Sequence, residues 1–174
     1  MNDRAPRFSE FIGPHIDAAY SFARFLSRDP DAAEDITQDA LLNAFRNIGA
    51  LRGEARPWLL AIVRNAYIDW RRRCGGRLVT GSDAEAVIAQ TADDALESPE
   101  TALIRQGDAA ELRHAIEAIP EPFREALVLR DLEGLSYREL SEIVGAPLGT
   151  VMSRLSRARR MLAERFGLTA EPRQ

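Results

Sequence analysis

The chain has 174 residues, 45% of them hydrophobic, with a formal net charge of −4. Such a composition suits one medium or two small globular domains, and no stretch is long and apolar enough to span a bilayer. The single cysteine, Cys74, excludes an internal disulfide and a multi-cysteine zinc site.

The start, Met1 to Pro6, has no apolar run behind it, so no signal peptide is expected and the chain reads as cytoplasmic. The acidic balance argues mildly against a nucleic-acid partner. The charges are segregated, however. Arginines gather at Arg71–Arg77 and Arg154–Arg160, carboxylates at Asp29–Asp39 and Asp83–Glu100. Local patches set the field that a partner meets.

Ile12, Ile16, Ala19, Tyr20, Ala23 and Leu26 recur at helical spacing from Phe8 to Leu26. Gly13-Pro14 either kinks that helix or starts its main part. Asp29-Pro30-Asp31 begins the next helix: Asp29 can cap it and Pro30 fits its first position. Ala33, Ile36, Ala40, Leu41, Ala44, Phe45 and Ile48 are its inner stripe. Glu34, Asp35, Gln38, Asp39 and Asn43 face the other way, as a solvated face or a docking surface. After the polar loop Ala50–Arg56, Pro57 opens a helix with Leu59, Ile62, Val63, Ala66 and Trp70 inward; it also carries Arg64, Asn65, Tyr67 and Asp69. Its end, Arg71-Arg72-Arg73, complements the negative helix terminus. Three arginines in succession exceed what the dipole needs and point to nucleic acid. Trp58 and Trp70 could stack on unpaired bases, Trp70 more readily for its place beside the arginines, but the core is the favoured reading of both.

Gly75-Gly76 ends that pattern, and the acidic stretch to Ser98 reads as a linker with a short helical piece near Ala84–Ala89. A helix restarts at Ser98-Pro99-Glu100 and runs through Leu112, Ala115, Ile116 and Ile119 to Pro120. Another opens at Pro122, with Phe123, Ala126, Leu127 and Leu132 inward, and stops near Gly134. Ser136 and Glu139 form a capping box, Leu140, Ile143 and Val144 share a face, and Gly145 with Pro147 ends the helix. Val151, Leu155, Ala158 and Leu162 are the buried stripe of the last helix, with Arg154, Arg157 and Arg160 elsewhere. Two short helices, a glycine turn and an arginine-bearing second helix make a helix-turn-helix able to enter a major groove. Beyond Phe166 the tail is polar. The expected fold is all-α: two small helical domains, residues 1–76 and 99–168, joined by an acidic flexible linker, 77–98.

Catalytic and metal chemistry find no support. His15 and His114 are isolated, and no phosphate-cradling Gly-Lys-Ser/Thr loop, His-Glu-x-x-His or Gly-x-Ser-x-Gly is present. No enzyme, cofactor or metal site is expected.

Ala33-Glu34-Asp35-Ile36-Thr37-Gln38-Asp39 and the segment Pro57–Arg72 resemble region 2 of extracytoplasmic-function sigma factors. Ile119–Leu127 and Leu135–Leu162 resemble their region 4, in the family's order and at its separation. The resemblance implies a subunit that binds core RNA polymerase and directs it to promoter DNA, commonly restrained by an anti-sigma factor. It implies core docking by Asp35, Gln38 and Asp39. It implies −10 contacts around the loop Asn47–Arg56 and the following helix, at Arg56, Arg64, Asn65, Asp69, Arg71, Arg72 and Arg73, with one base flipped into a pocket bordered by that loop. The helix Gly149–Arg160 would read the −35 element through Thr150, Ser153, Arg154, Ser156, Arg157 and Arg160. Within it, Arg157 is expected at bases and Arg154 on backbone, because Arg154 lies nearer the Leu155 seam. The acidic linker would follow the RNA exit path. Met152 stands where the family often has Lys or Arg. Ser141 replaces a small apolar residue, its hydroxyl expected on a backbone carbonyl. The alternative is a stand-alone helix-turn-helix repressor or activator, which would have no use for the acidic face on the Asp29 helix.

Overall fold

The computed structural model describes residues 4–74 and 109–168. They fall into two units, one within Met1–Thr80 and one within Gly81–Gln174. The linker expected at 77–98, the helix restart at Ser98 and the end of the tail lie outside the described residues.

In the first unit, helix α1 (Arg4–Phe11) is followed by a 3-10 turn (Gly13–His15) and α2 (Ile16–Ser27). Pro14 lies in the tight turn, so the glycine–proline pair separates two helices rather than kinking one. Ile12 is fully buried, whereas Ile16, expected inside, is exposed. The tight turn shifts the helical phase between them. Arg28 ends α2 in the left-handed conformation (φ 59°), and Asp29 caps α3 (Pro30–Asn47) by accepting hydrogen bonds from the Asp31 and Ala32 amides at 2.8 and 3.1 Å. Ser27 donates its hydroxyl to the Ala23 carbonyl at 2.8 Å, tying the corner to α2.

Ala32, Ala33, Ile36, Ala40 and Ala44 line the buried face of α3. Small side chains there let α2 and α4 approach closely. Leu41 and Phe45, expected inside, are half-buried, whereas Ala32 and Thr37 are buried, so the inner face is rotated from the stripe expected. After a 3-10 turn (Ile48–Ala50), α4 runs from Ala55 to Arg73. It starts two residues before Pro57, which is tolerated because first-turn amides have no intrahelical partner. Leu59, Leu60, Val63, Ala66 and Tyr67 are buried, while Ile62, Trp58 and Trp70 are half-buried. Tyr67 and Leu60 thus join the inner face, and neither tryptophan is fully core. Both α2 and α3 pack on α4, so its buried arc is wider than one stripe and shifted around the helix.

The second unit holds α5 (Ala109–Glu117), α6 (Glu121–Leu127), a π turn (Val128–Leu132), α7 (Tyr137–Val144) and α8 (Leu148–Arg165). The buried Arg124 guanidinium donates to the Ile119 carbonyl at 2.6 Å, closing the corner after α5. Val128 and Leu129 of the π turn are buried and Leu132, expected inside, is only half-buried. The wider turn changes the azimuth of the residues after it. The capping box is complete: the Glu139 amide donates to the Ser136 hydroxyl at 3.3 Å, and the Ser136 amide to the Glu139 carboxylate at 2.7 Å. Gly145 (φ 65°) closes α7. Ser141 donates its hydroxyl forward to the Ala146 carbonyl at 2.6 Å, across the turn into α8. The α8 stripe Val151, Leu155, Ala158 and Leu162 is buried throughout. Each of its larger members contributes roughly 1.5–3 kcal/mol by leaving water. That burial holds α8 against α6 and α7.

Candidate nucleic-acid interface

Helix α8 presents the helix-turn-helix arginines. With Val151, Leu155 and Ala158 inward, Thr150 is exposed and Ser153, Arg154, Ser156 and Arg157 are half-exposed. Arg160 is exposed and 3.8 Å from Glu164, one turn on. Among the described residues Arg154 makes no ion pair or hydrogen bond, whereas Arg157 is already engaged. The structure thus keeps the six expected residues on or beside the outward face of one helix.

Arg159, which helical spacing does not single out, has another task. Its guanidinium makes two parallel hydrogen bonds to Asp131, Nε to Oδ2 at 2.9 Å and an Nη to Oδ1 at 2.6 Å, with the carboxylate largely buried. The bond to Asp131 pushes the Arg159 pKa further up, against the opposing cost of burial. The pair ties α8 to the π turn and fixes the rotation of α8 about its own axis. Arg130 supports the same corner by donating to the Leu135 carbonyl at 2.6 Å and lying 4.7 Å over the Tyr137 ring. Only a carboxylate 28 positions earlier distinguishes Arg159 from its neighbours, and helical periodicity carries no trace of that.

In the first unit, Asp35 and Gln38 are exposed and Asp39 is half-exposed on one side of α3, opposite Ala33, Ile36 and Ala40. The three share a face. Asp39 is not open carboxylate, however: Arg73 at the end of α4 donates to it at 2.7 Å. That bond pushes the Arg73 pKa further up. One residue expected at polymerase and one expected at DNA are therefore paired with each other.

The remaining α4 candidates spread around the helix. Asn65 and Asp69 are exposed, and Arg72 lies 3.7 Å from Asp69. Arg71 sits 5.6 Å above the Tyr67 ring, which stacks against Trp70 at 6.4 Å. Arg56 and Arg64 are half-buried and already engaged. Cys74 is exposed at the helix end. The loop before α4 is shaped from within, because Arg52 donates to the Gly49 and Leu51 carbonyls at 2.8 and 2.9 Å. Among the described residues no helix is long and apolar enough to cross a membrane, and no cluster of three His, Cys, Asp or Glu could hold a metal.

Two family models match this sequence, Sigma-70 region 2 over residues 11–77 and Sigma-70 region 4 over residues 109–162. The chain is 37% identical over 137 residues to the RNA polymerase sigma-H factor of Pseudomonas aeruginosa, covering 75% of this chain and 71% of that protein. It is 35% identical over 160 residues to the ECF RNA polymerase sigma factor SigE of Mycolicibacterium smegmatis, covering 91% of this chain but 61% of that relative's length. Among solved structures, the sigma factor RpoE of Bartonella quintana, crystallised with the anti-sigma factor NepR, superposes with a TM-score of 0.69 at 28% identity. The match covers 92% of this chain and 98% of that one.

Proposed function

The chain belongs to the extracytoplasmic-function branch of the sigma-70 family, and from that premise we propose how its two units divide the work. It is a transcription-initiation factor that directs core RNA polymerase to specific promoters. Residues 1–76 bind the polymerase and the −10 element, 77–98 form the linker, and 99–168 bind the −35 element. It acts in the cytoplasm under an anti-sigma factor, in keeping with the RpoE–NepR complex among its structural neighbours.

The observation that carries this reading is the coexistence of a helix-turn-helix with an outward arginine row and a second unit with the acidic face of α3. A free-standing repressor needs the first and not the second. Asp35 and Gln38 dock the polymerase, with Asp39 beside them held by Arg73. Asn65, Asp69, Arg71, Arg72 and Arg73, with Arg56 and Arg64, surround the −10 strand. Thr150, Ser153, Arg154, Ser156, Arg157 and Arg160 meet the −35 duplex. Because the chain carries a net charge of −4, it binds duplex weakly alone. Polymerase orients both units at once and raises the effective concentration of each for its element.

The test mixes the purified chain with core polymerase and maps transcript starts. Sequence-specific initiation is expected, together with about tenfold weaker core binding for Asp35→Ala combined with Gln38→Ala. Tight duplex binding without polymerase, and no initiation with it, would instead identify a repressor.

A further inference from the structure

A recess of about 240 Å³ opens where α1 meets the end of α3. Arg4 and Arg7 of α1, Arg46 and Asn47 of α3, and the 3-10 turn Ile48–Ala50 line it. An aromatic pair helps to place it. Phe8 packs edge-on against Phe45, ring centroids 5.4 Å apart, and fastens α1 to the last turns of α3. Arg4 lies one helical turn before Phe8 and Arg7 immediately before it, while Arg46 immediately follows Phe45. The aromatic pair therefore helps to bring arginines from two helices to one opening.

A solvated surface is the plain account of exposed arginines, and the end of α3 would by itself attract one cation. Three exceed that need, and the helix end has other satisfaction: Asn47 donates its side-chain amide to the Asn43 carbonyl at 2.9 Å. Among the described residues Arg4, Arg7 and Arg46 make no ion pair or hydrogen bond, and no carboxylate lines the recess. Convergent guanidinium forks suit the oxygens of a phosphate. The volume falls below the roughly 300 Å³ at which pockets for drug-sized ligands begin, so a phosphate or a single nucleotide is the scale of group that enters.

We propose that Arg4, Arg7 and Arg46 bind a backbone phosphate of the unpaired promoter strand, beside the turn that leads into α4. This rests on the reading that the first unit holds the −10 strand. It adds α1, which no motif in the sequence implicates, to the path of the melted DNA. The same chemistry would accept the phosphates of a free nucleotide, so the experiment separates the two.

The full-length chain is bound to core polymerase and titrated, over a range of salt concentrations, with a promoter template premelted across the −10 element. Arg4→Ala combined with Arg7→Ala, and separately Arg46→Ala, are expected to weaken binding about three- to tenfold and to reduce the salt slope by about 1 for each phosphate no longer neutralised. Arg46→Lys is expected to keep most of the slope, which counts charge, while recovering only part of the affinity, since an ammonium lacks the guanidinium fork. Circular dichroism checks that each variant keeps its helices. Unchanged affinity and slope in folded variants would overturn the proposal. So would loss of only the competition that a nucleoside triphosphate exerts on the wild type, which would assign the recess to free nucleotides. A wild-type chain that directs no specific initiation would remove the reading on which this rests. Specific initiation, with variants equal to wild type on the premelted template, would remove the recess alone.

Discussion

Helices α4 and α8 both carry clustered arginines, and their spacing sets them apart. On α4, Arg71, Arg72 and Arg73 are consecutive, so each leaves the axis about 100° from the last. They reach three different places: the Tyr67 ring, Asp69, and Asp39 on α3. On α8, Arg154, Arg157 and Arg160 recur every third residue and drift only about 60° per step. Arg157 and Arg160 lie away from Val151, Leu155 and Ala158, and Arg154 flanks that seam on the same side. Arg159 is out of phase with that row, and it is the one bound to Asp131. The number of arginines on a helix says little; their period decides whether they share one side of it or point to separate places.

The contrast is most exposed to failure at Arg159. Asp131→Ala is expected to lower the stability of the second unit by about 2 kcal/mol, read from chemical denaturation, because it removes two charge-assisted bonds from a largely buried place. Arg159→Lys should retain only part of that stability, since an ammonium cannot reproduce the parallel pair. Equal stability in all three proteins would return Arg159 to the outward row. Next come the in-phase residues. Arg157→Ala is expected to relax −35 preference by about 1–2 kcal/mol at one base pair, and Arg154→Ala to lower transcription evenly across a library of −35 variants. The opposite pattern would exchange their roles, and no effect from either would deny α8 a part in promoter reading.

Smaller effects belong to α4. Arg71→Ala should cost about 0.5 kcal/mol in thermal unfolding, because the cation no longer sits over the Tyr67 ring. Arg73→Ala should leave the melting temperature unchanged, because its bond to Asp39 is well exposed. Any loss of transcription in that variant therefore reports DNA or polymerase binding. A clear drop in melting temperature would make the Arg73–Asp39 pair structural and align α4 with Arg159.

Where the sequence was informative, the signal was local. Asp29 and Ser136 cap the helices they precede, Gly145 takes the left-handed turn, and the α8 stripe is buried as its spacing predicts. Those features depend on neighbours within about four residues. Tyr67 and Leu60 escaped because two helices cover α4, and a one-stripe rule accounts for only one of them. Asp131 with Arg159, and Arg73 with Asp39, escaped because their partners are distant in sequence. Ser141 was expected on a backbone carbonyl and has one, but it lies in the following turn, at Ala146. Arg4 and Arg7 precede the apolar pattern that begins at Phe8, so no period marks them.

The π turn at Val128–Leu132 bears on insertions and deletions more than on substitutions. Its amides reach back one residue further than in an α-helix, as when Glu133 bonds to the Val128 carbonyl at 2.9 Å. Deleting one residue between Val128 and Asp131 would let the Glu133 amide meet the Val128 carbonyl at ordinary α-helical spacing, so the residues after the turn would keep their azimuth. The same deletion inside a regular helix would rotate everything downstream by about 100°. The second unit should thus tolerate the loss of one residue in this turn better than the same loss in the middle of α8, because the turn holds one peptide unit more than an α-helix needs there.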